Sequence, residues 1–195
     1  MKSSNKHGFT LIELLVVIAI LAVLAVAVVL VLNPAELLKE GRDTTRISDL
    51  ASLNSAIALY TADVINGGWP GSITYKCTST STAPSGAAGC SVASSTTVDG
   101  NGWVPINFNQ IASGSPLPRL PIDPNNGSTG CKNQTGSSTV CQYAFIASTT
   151  LGVYKLEALM ESNKFYAGAG TAVVGNDGGL YSGVYEVGSN LQLAD

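Results

Sequence analysis

The feature that constrains this chain most is a long apolar run near its N-terminus, from Phe9 to Leu32, which only Thr10 and Glu13 interrupt. As an α-helix rising 1.5 Å per residue, the run reaches about 36 Å, enough to cross a bilayer core of about 30 Å. Lys2 and Lys6 precede it. The positive-inside rule therefore places the N-terminus in the cytoplasm and the rest of the chain outside.

An ordinary secretory signal peptide differs from this run both in its length and in the residues at its C-terminal end. Its apolar core spans about 7 to 15 residues and ends at a cleavage site made of small residues. Here the run is longer, and the residues after it, Asn33 to Leu37, make a poor site of that kind. We therefore expect the run to stay in the mature protein.

The residues that open the run, GFTLIELLVVIAIL from Gly8 onward, resemble the prepilin signature of type IV pilins and of the pseudopilins of type II secretion and competence systems. The resemblance is close over about residues 6 to 32. It implies that a prepilin peptidase on the cytoplasmic face cuts between Gly8 and Phe9 and methylates the new amine of Phe9. Residues 1–8 are then a leader peptide that is removed.

Glu13 is the one carboxylate inside the apolar run. A carboxylate in mid-bilayer costs about 2.5 to 3.5 kcal/mol on insertion scales, and charged groups in membranes usually have a partner. Cleavage after Gly8 would create one, the ammonium of Phe9, and a neighbouring subunit could bring its own ammonium to this carboxylate. Desolvation offsets the attraction within such a pair, so the pair need not add much stability. Its value would be to fix the register of the subunits. The alternative is that Glu13 only complements the positive end of its helix, worth about 0.3 to 1 kcal/mol.

A second helix is predicted directly after the run. Pro34 disfavours helical geometry at Asn33 and suits the first turn of a new helix. From Pro34 to about Val64, apolar residues recur at the spacing of an amphipathic helix that packs on a sheet; they are Ile47, Leu50, Ala51, Ile57, Ala58 and Val64. The charged side chains of this helix are interpreted as a solvated face, with bridging between subunits as the alternative; they are Glu36, Lys39, Glu40, Asp43 and Arg46.

The rest of the chain predicts a loop-rich sheet domain. Asn66 to Gly68 should end the helix, and Lys76 to Gly102, rich in Ser, Thr and Gly, is typical of a surface loop. Three segments predict an antiparallel sheet of three or four strands; they are Tyr143 to Ala147, Val153 to Met160 and Leu180 to Val187. The second of these also has apolar residues at helical spacing, which leaves a helix open there.

These patterns divide the chain into a leader at 1–8, a transmembrane and polymerisation helix at 9–32, an amphipathic helix at 33–66 and a sheet domain at 67–195. The fold class is α+β, with a long N-terminal helix packed on a small antiparallel sheet. Pilins share this layout, so the prediction agrees with the resemblance.

The four cysteines all lie after the apolar run and form no CxxC pair, so the usual zinc and thioredoxin spacings are missing. Outside the cytoplasm we expect two disulfides. Of the three possible pairings we favour Cys77 with Cys90 and Cys131 with Cys141, because short loops close at the least entropic cost. Free buried thiols are the alternative. Many pilins close a disulfide near their C-terminus, whereas a long stretch of chain comes after Cys141 here.

The segment LPIDPNNG, from Leu120 to Gly127, resembles a turn of the major type II secretion pseudopilins, which bind calcium near their C-terminal end. The resemblance implies Asp123 and Asn125 as calcium ligands. Calcium takes six to eight oxygens, however, and this is not an EF-hand loop, while Asp-Pro and Asn-Gly are ordinary turn formers. We expect no cofactor, with calcium as the alternative.

Composition removes several classes of function. The net charge of −3, with no cluster of Lys and Arg beyond residue 46, argues against nucleic acid as the main partner. The only histidine is His7, which lies in the leader, so the mature chain would have no imidazole for a catalytic triad or a metal site. A membrane-tethered hydrolase is a weaker hypothesis, since no GxSxG motif is present. We expect no enzymatic activity.

The residues and the resemblance together predict a structural subunit, a pilin that polymerises through its N-terminal helix into a type IV pilus-like filament. The resemblance implies a prepilin peptidase, an inner-membrane platform and an assembly ATPase as partners. It places the chain in the cytoplasmic membrane before assembly and in an extracellular helical homo-oligomer afterwards. The alternatives are a pseudopilin of a secretion or competence system, and a minor pilin with an adhesive or binding role at a filament tip.

Overall fold

The computed structural model describes residues 8–64, 74–148, 151–166 and 173–193. The chain divides into two compact units, Met1–Leu38 and Lys39–Asp195. In the described residues, two helices are followed by seven short strands. The α+β class predicted from the sequence is confirmed.

The first helix, α1, runs from Leu11 to Leu32 and buries none of its residues. Its sequence is almost wholly aliphatic, so every face of the helix is apolar. It ends at Asn33, which adopts left-handed backbone angles (φ 40°, ψ 72°). Asparagine tolerates this region better than most residues other than glycine, and a left-handed residue is a common way to end a helix.

The second helix, α2, spans Pro34–Asp63 and starts at the proline, as the sequence predicts. The backbone carbonyl of Asn33 accepts hydrogen bonds from the N–H groups of Glu36 (2.9 Å) and Leu37 (3.3 Å). The carbonyl on the proline's N-terminal side therefore takes part in the first turn of the new helix. Asn66 to Gly68, predicted to end this helix, lie outside the described residues.

A five-stranded sheet has the order β2-β1-β5-β6-β7. Its strands are β1 (Thr74–Cys77), β2 (Ser91–Val92), β5 (Tyr143–Ser148), β6 (Val153–Ala158) and β7 (Tyr185–Gly188). Between β2 and β5 in the chain, β3 (Thr129–Lys132) and β4 (Ser138–Val140) form a separate antiparallel hairpin. The large sheet is mixed, because β1 and β2 are parallel while its other pairs are antiparallel.

The predicted strands are confirmed in part. Tyr143 to Ala147 and Val153 to Met160 correspond to β5 and β6, which excludes a helix at the second segment. The prediction for Leu180 to Val187 was wrong in its first half, since β7 begins only at Tyr185. The loop predicted from Lys76 to Gly102 contains the end of β1 and all of β2.

The main core lies between α2 and one face of the sheet. Alternate residues of β5 and β6 point into it, as period-2 geometry requires; they are Tyr143, Phe145, Ala147, Tyr154, Leu156 and Ala158. The side chains that α2 contributes are Leu50, Leu53, Ala56, Ile57 and Tyr60. Ala51 and Ala58, which the sequence placed on the packed stripe, are exposed, because the helix turns its 50, 53, 57 and 60 positions to the sheet.

A long irregular segment between β2 and β3 completes this core. Its buried side chains are Trp103, Val104, Ile106, Phe108, Ile111 and Leu120. The indole N–H of Trp103 donates a 2.8 Å hydrogen bond to the backbone carbonyl of Pro121. Tyr60 meets Phe108 edge-on, with ring centroids 6.1 Å apart. No sequence pattern had indicated that this segment takes part in the core.

The described residues contain two disulfides that cross-link loops and strand ends. Their pairing is the one that we favoured from the sequence. Cys77 at the end of β1 is bonded to Cys90, just before β2, with Cα atoms 5.8 Å apart. Cys131 in β3 is bonded to Cys141, just after β4, with Cα atoms 5.1 Å apart. All four cysteines are buried.

Candidate functional site

The N-terminus of α1 is a capping box formed by Thr10 and Glu13. The backbone N–H of Glu13 donates to the Thr10 hydroxyl oxygen (3.3 Å), while the Thr10 backbone N–H and hydroxyl donate to Glu13 Oε2 (2.8 and 2.7 Å). This reciprocal arrangement satisfies donors that a helix start otherwise leaves unpaired. Thr10 was not among the residues predicted to have a role, although its T-x-x-E spacing to Glu13 could have revealed it.

The two oxygens of the Glu13 carboxylate are used differently. Oε2 accepts both hydrogen bonds from Thr10, whereas no described residue donates to Oε1. Around the carboxylate is a shallow groove of about 360 Å³ lined by Phe9, Ile12, Val16 and Val17. In the single chain the carboxylate therefore lies at the positive end of its helix, as in the alternative weighed for Glu13, and it also caps the helix. One carboxylate oxygen is still available in an apolar setting.

Gly8 and Phe9 lie outside α1 and are both exposed. A Cβ built on Gly8 would have no neighbour within 4 Å, and Phe9 is 82% exposed. The peptide bond between them is accessible, as cleavage by a peptidase requires. Cleavage and methylation at this bond stay predictions.

In the described residues, one helix is long and apolar enough to cross a membrane, and it includes α1. Its apolar part buries none of its residues. These properties fit a membrane anchor. The transmembrane role of residues 9–32 stays a prediction, and α1 covers Leu11–Leu32 of that range.

In the second unit, Arg46 of α2 lies at the centre of a buried ionic cluster. Its guanidinium donates to Asp43 (2.7 Å), to both oxygens of Asp123 (2.8 Å each) and to Glu161 (2.6 Å). Arg46 and Asp43 are fully buried, and Asp123 and Glu161 are each 2% exposed. Asp43 also accepts the backbone N–H groups of Glu161 (2.9 Å) and Ser162 (2.8 Å).

Glu161 is shared between two arginines, since Arg42 also donates to its carboxylate, the shortest contact being 2.6 Å. Burial alone would raise the pKa of Glu161, but the hydrogen bonds and positive charges of Arg42 and Arg46 outweigh burial and lower it. Burial likewise opposes the charge on Arg46, yet Asp123 and Glu161 raise the pKa of the guanidinium above its ordinary value. Glu161 and Arg46 are therefore both charged at neutral pH.

The interpretation of the α2 charges as a solvated face was wrong for Asp43 and Arg46, which are buried inside the subunit. The i,i+3 spacing of the pair was a visible signal. Their other partners, Asp123 and Glu161, are 77 and 115 residues from Arg46 in the chain. No local pattern predicts that contact.

The suggested calcium ligands, Asp123 and Asn125, are adjacent in the structure. The Asn125 backbone N–H donates to Asp123 Oδ1 (2.8 Å), so the two residues form a turn. Both Asp123 oxygens already accept from Arg46, whose positive charge is unfavourable beside a cation. Calcium at these residues stays the untested alternative, and the observed contacts of Asp123 are an ion pair with Arg46 and a turn with Asn125.

A second ionic cluster lies on the other face of the sheet. Lys155 of β6 contacts Glu157 (3.0 Å) and Glu186 of β7 (3.1 Å), and all three side chains are buried. The backbone N–H groups of Ser85 and Tyr181 donate to the two carboxylates (3.0 and 2.9 Å). Burial alone would lower the pKa of Lys155, but the carboxylates raise it. This cluster ties β6 and β7 to the loops that cover them.

Comparison with known protein families gives a match at the N-terminus. The family model of the prokaryotic N-terminal methylation motif matches residues 3–29, which include Gly8, Phe9, Thr10 and Glu13. No curated protein and no solved structure matches the chain. The chain thus carries, before and within α1, the N-terminal methylation motif that is the signature of type IV pilins and pseudopilins.

Proposed function

We propose that this chain is the structural subunit of a type IV pilus-like filament. A prepilin peptidase removes residues 1–8 and methylates Phe9, and the mature chain stays in the cytoplasmic membrane until it is assembled. It then polymerises through α1 into a filament outside the cell. The observation that carries the proposal is the methylation motif on a helix that buries none of its residues.

The proposed contact between subunits joins the Glu13 carboxylate of one chain to the Phe9 ammonium of the next. Within one chain these groups are four residues apart, and the Phe9 amine lies before the helix, since Thr10 is the N-cap of α1. A neighbour displaced along the helix axis by the distance between the two groups would bring its ammonium to the carboxylate. Oε1, which accepts from no described residue, is the oxygen open to it. A subunit at the wrong height would leave two charges unpaired in an apolar core, which is costly.

The ionic cluster supports this role inside the subunit. Arg46 joins α2 to the turn at Asp123 and to the chain after β6 at Glu161. It therefore holds the part of α2 from Lys39 onward on the sheet at several separate points. A filament subunit needs such an attachment, because a force that pulls on its N-terminal helix must not detach α2 from the rest of the domain.

The second candidate is a pseudopilin of a type II secretion or competence system, which the LPIDPNNG turn at Leu120 to Gly127 favours. A minor pilin at a filament tip is less well supported, because a tip subunit could lack the neighbour that Glu13 requires. All three roles use the same peptidase, inner-membrane platform and assembly ATPase. None of them requires catalysis.

The N-terminus of the mature protein tests the processing step. Mass spectrometry of protein from the natural host should find a chain that starts at N-methylated Phe9. A chain that still starts at Met1 would contradict the proposal.

Substitution of Glu13 tests the assembly step. Glu13→Gln keeps the size of the side chain and removes its charge, so the subunit should be inserted and cleaved but should yield at least tenfold less filament. Leu14→Ala is the matched control, since it trims the same turn of α1 and keeps the carboxylate. Equal filament yield from Glu13→Gln and the unaltered chain would show that Glu13 acts only as a helix cap.

A further inference from the structure

The β3–β4 hairpin loop contains the tripeptide Asn133-Gln134-Thr135, which has the N-x-[ST] pattern of an N-glycosylation acceptor. The pattern occurs by chance in any chain rich in Asn, Ser and Thr. Its meaning therefore depends on whether the asparagine side-chain nitrogen is accessible and the hydroxyl is placed to assist. A second tripeptide of the same pattern, Asn126-Gly127-Ser128, allows a comparison within one molecule.

The side-chain oxygen of Asn133 is held by three donors. It accepts the backbone N–H of Thr135 (3.1 Å), the hydroxyl of Thr135 (2.8 Å) and the backbone N–H of Ser137 (2.9 Å). The tyrosyl hydroxyl of Tyr166 donates to the backbone carbonyl of Asn133 (3.0 Å) and steadies the base of the loop. The amide group therefore has a fixed orientation.

The side-chain nitrogen of Asn133 is the free end of this amide. No described residue accepts a hydrogen bond from it, and it is not among the buried polar atoms that lack a partner. The next four residues of the loop, 134–137, are all exposed. Asn133 as a whole is half-buried, and its nitrogen has contact with solvent beside the exposed tip of the hairpin.

Asn126 differs from Asn133 in the hydrogen bonds of its side-chain amide. Its side-chain oxygen accepts from the hydroxyl of Thr78 (2.6 Å), and its side-chain nitrogen donates to the backbone carbonyl of Thr78 (3.3 Å). Both the oxygen and the nitrogen of this amide therefore have a hydrogen-bond partner within the folded chain. The nitrogen of Asn126 could react only after the turn had separated from Thr78.

We propose that Asn133 is the acceptor of an N-linked glycan, delivered from a diphosphate-linked lipid oligosaccharide on the outer side of the membrane. The Asn133 side-chain nitrogen forms a bond to the anomeric carbon of the sugar, and the bond from that carbon to the diphosphate oxygen breaks. The diphosphate leaves with the electron pair, and the amide proton passes to a base of the transferase. As the proton leaves, negative charge develops on the Asn133 oxygen, where the Thr135 hydroxyl and the two N–H groups stabilise it.

The site requires export of the domain but not polymerisation. The two disulfides fit an oxidising compartment outside the cytoplasm, where a glycan donor of this class is used. The inference therefore goes beyond the proposed filament role. It would hold for a pilin and for a pseudopilin alike.

The test is the intact mass of the full chain purified from its natural host, combined with peptide mapping. The expected mass exceeds that of the mature polypeptide by whole sugar units, and an amidase that releases Asn-linked glycans should convert Asn133 to Asp. Asn133→Gln and Thr135→Val should lose the increment completely, whereas Thr135→Ser should keep it. Asn126→Gln should also keep it, although it disturbs the contact with Thr78.

Three results would overturn the inference: a mass equal to that of the unmodified mature chain, an increment that survives Asn133→Gln, or one that is lost only in Asn126→Gln. Thr135 is exposed, so Thr135→Val and Thr135→Ser should fold alike, and their difference isolates the hydroxyl. The readout is mass, so a failure to assemble filaments would not affect it. A failure of glycosylation would equally leave the proposed function standing.

Discussion

Arg46 donates two parallel hydrogen bonds to Asp123, from Nε to Oδ2 and from Nη2 to Oδ1, each 2.8 Å long. Both side chains are fully buried. The planar fork of arginine matches a carboxylate in this way, and a lysine ammonium does not. The pair joins α2 to a turn 77 residues further along the chain.

Replacing Arg46 should destabilise the fold strongly. Arg46→Met leaves Asp43, Asp123 and Glu161 buried without their shared counter-charge, and removing one partner of a buried ion pair costs about 3 to 5 kcal/mol. Arg46→Lys should fall between this variant and the unaltered chain. Urea unfolding of the full chain in detergent measures the difference. Arg119→Met, at an exposed arginine, is the control and should stay within about 0.5 kcal/mol.

Stability should fall on acidification through Glu161. Its pKa in the folded state is lowered from the ordinary 4.5 by Arg42 and Arg46, against the effect of burial. The unfolded chain therefore binds a proton first as pH falls through about 4.5, and the stabilisation present above that pH is lost toward the lower folded pKa. Glu161→Gln should flatten the rise of unfolding free energy with pH in this window. An unchanged slope would show that other carboxylates dominate.

Asp49 should change the unfolding free energy with pH in the direction opposite to that of Glu161. Burial raises its pKa above the ordinary 3.8, although a hydrogen bond from the Tyr143 hydroxyl partly offsets this. The folded chain therefore holds the proton longer, and the contribution of Asp49 is lost as pH rises through its folded pKa. Asp49→Asn should make unfolding free energy rise more steeply with pH just above 3.8. The same pH series of urea unfolding curves measures it.

Two glycines should respond in opposite ways to alanine. A Cβ at Gly102 would lie 2.3 Å from the Thr97 carbonyl oxygen and 2.4 Å from a Leu120 methyl carbon, so Gly102→Ala should cost about 1 to 3 kcal/mol by overpacking. At Gly41, in α2, a Cβ would meet nothing within 4 Å. Gly41→Ala should therefore stabilise the helix by about 0.5 to 1 kcal/mol. Thermal unfolding of both variants checks the pair.

Each disulfide should contribute a similar stabilisation. The bonded cysteines are 13 and 10 residues apart, and loops of this size correspond to about 3 kcal/mol in the chain-entropy model. Replacing Cys77 and Cys90 together by serine should lower the unfolding midpoint, as should replacing Cys131 and Cys141. Reductant should destabilise the chain that has both bonds more than either double variant. Equal effects of reductant on all three would contradict this expectation.

Local patterns were enough to predict much of this fold. The start of α2 at Pro34 results from backbone restriction at one residue, and β5 and β6 are short apolar segments between turn residues. The two disulfides are the pairing that closes the shortest loops. Each of these signals lies within a few residues of the element it predicts.

The parts that sequence patterns missed depend on contacts between distant residues. Trp103, Phe108 and Leu120 lie in a segment broken by Gly, Pro and Asn, so their burial has no period to reveal it. Arg46 looks like an ordinary helix surface charge until Asp123 and Glu161 lie beside it. At the N-terminus the opposite holds, since the spacing from Thr10 to Glu13 is a local signal that predicts the capping box directly.

The apolar surface of α1, none of which is buried, has a consequence for the environments that the chain can occupy. Transfer of apolar surface into water costs about 25 cal/mol per Å², and α1 shields none of its 22 residues. Moving α1 from an apolar environment into water would therefore be costly. If the proposed function is correct, subunits should pass directly between the membrane and the filament, and dilution alone should not dissolve the filament.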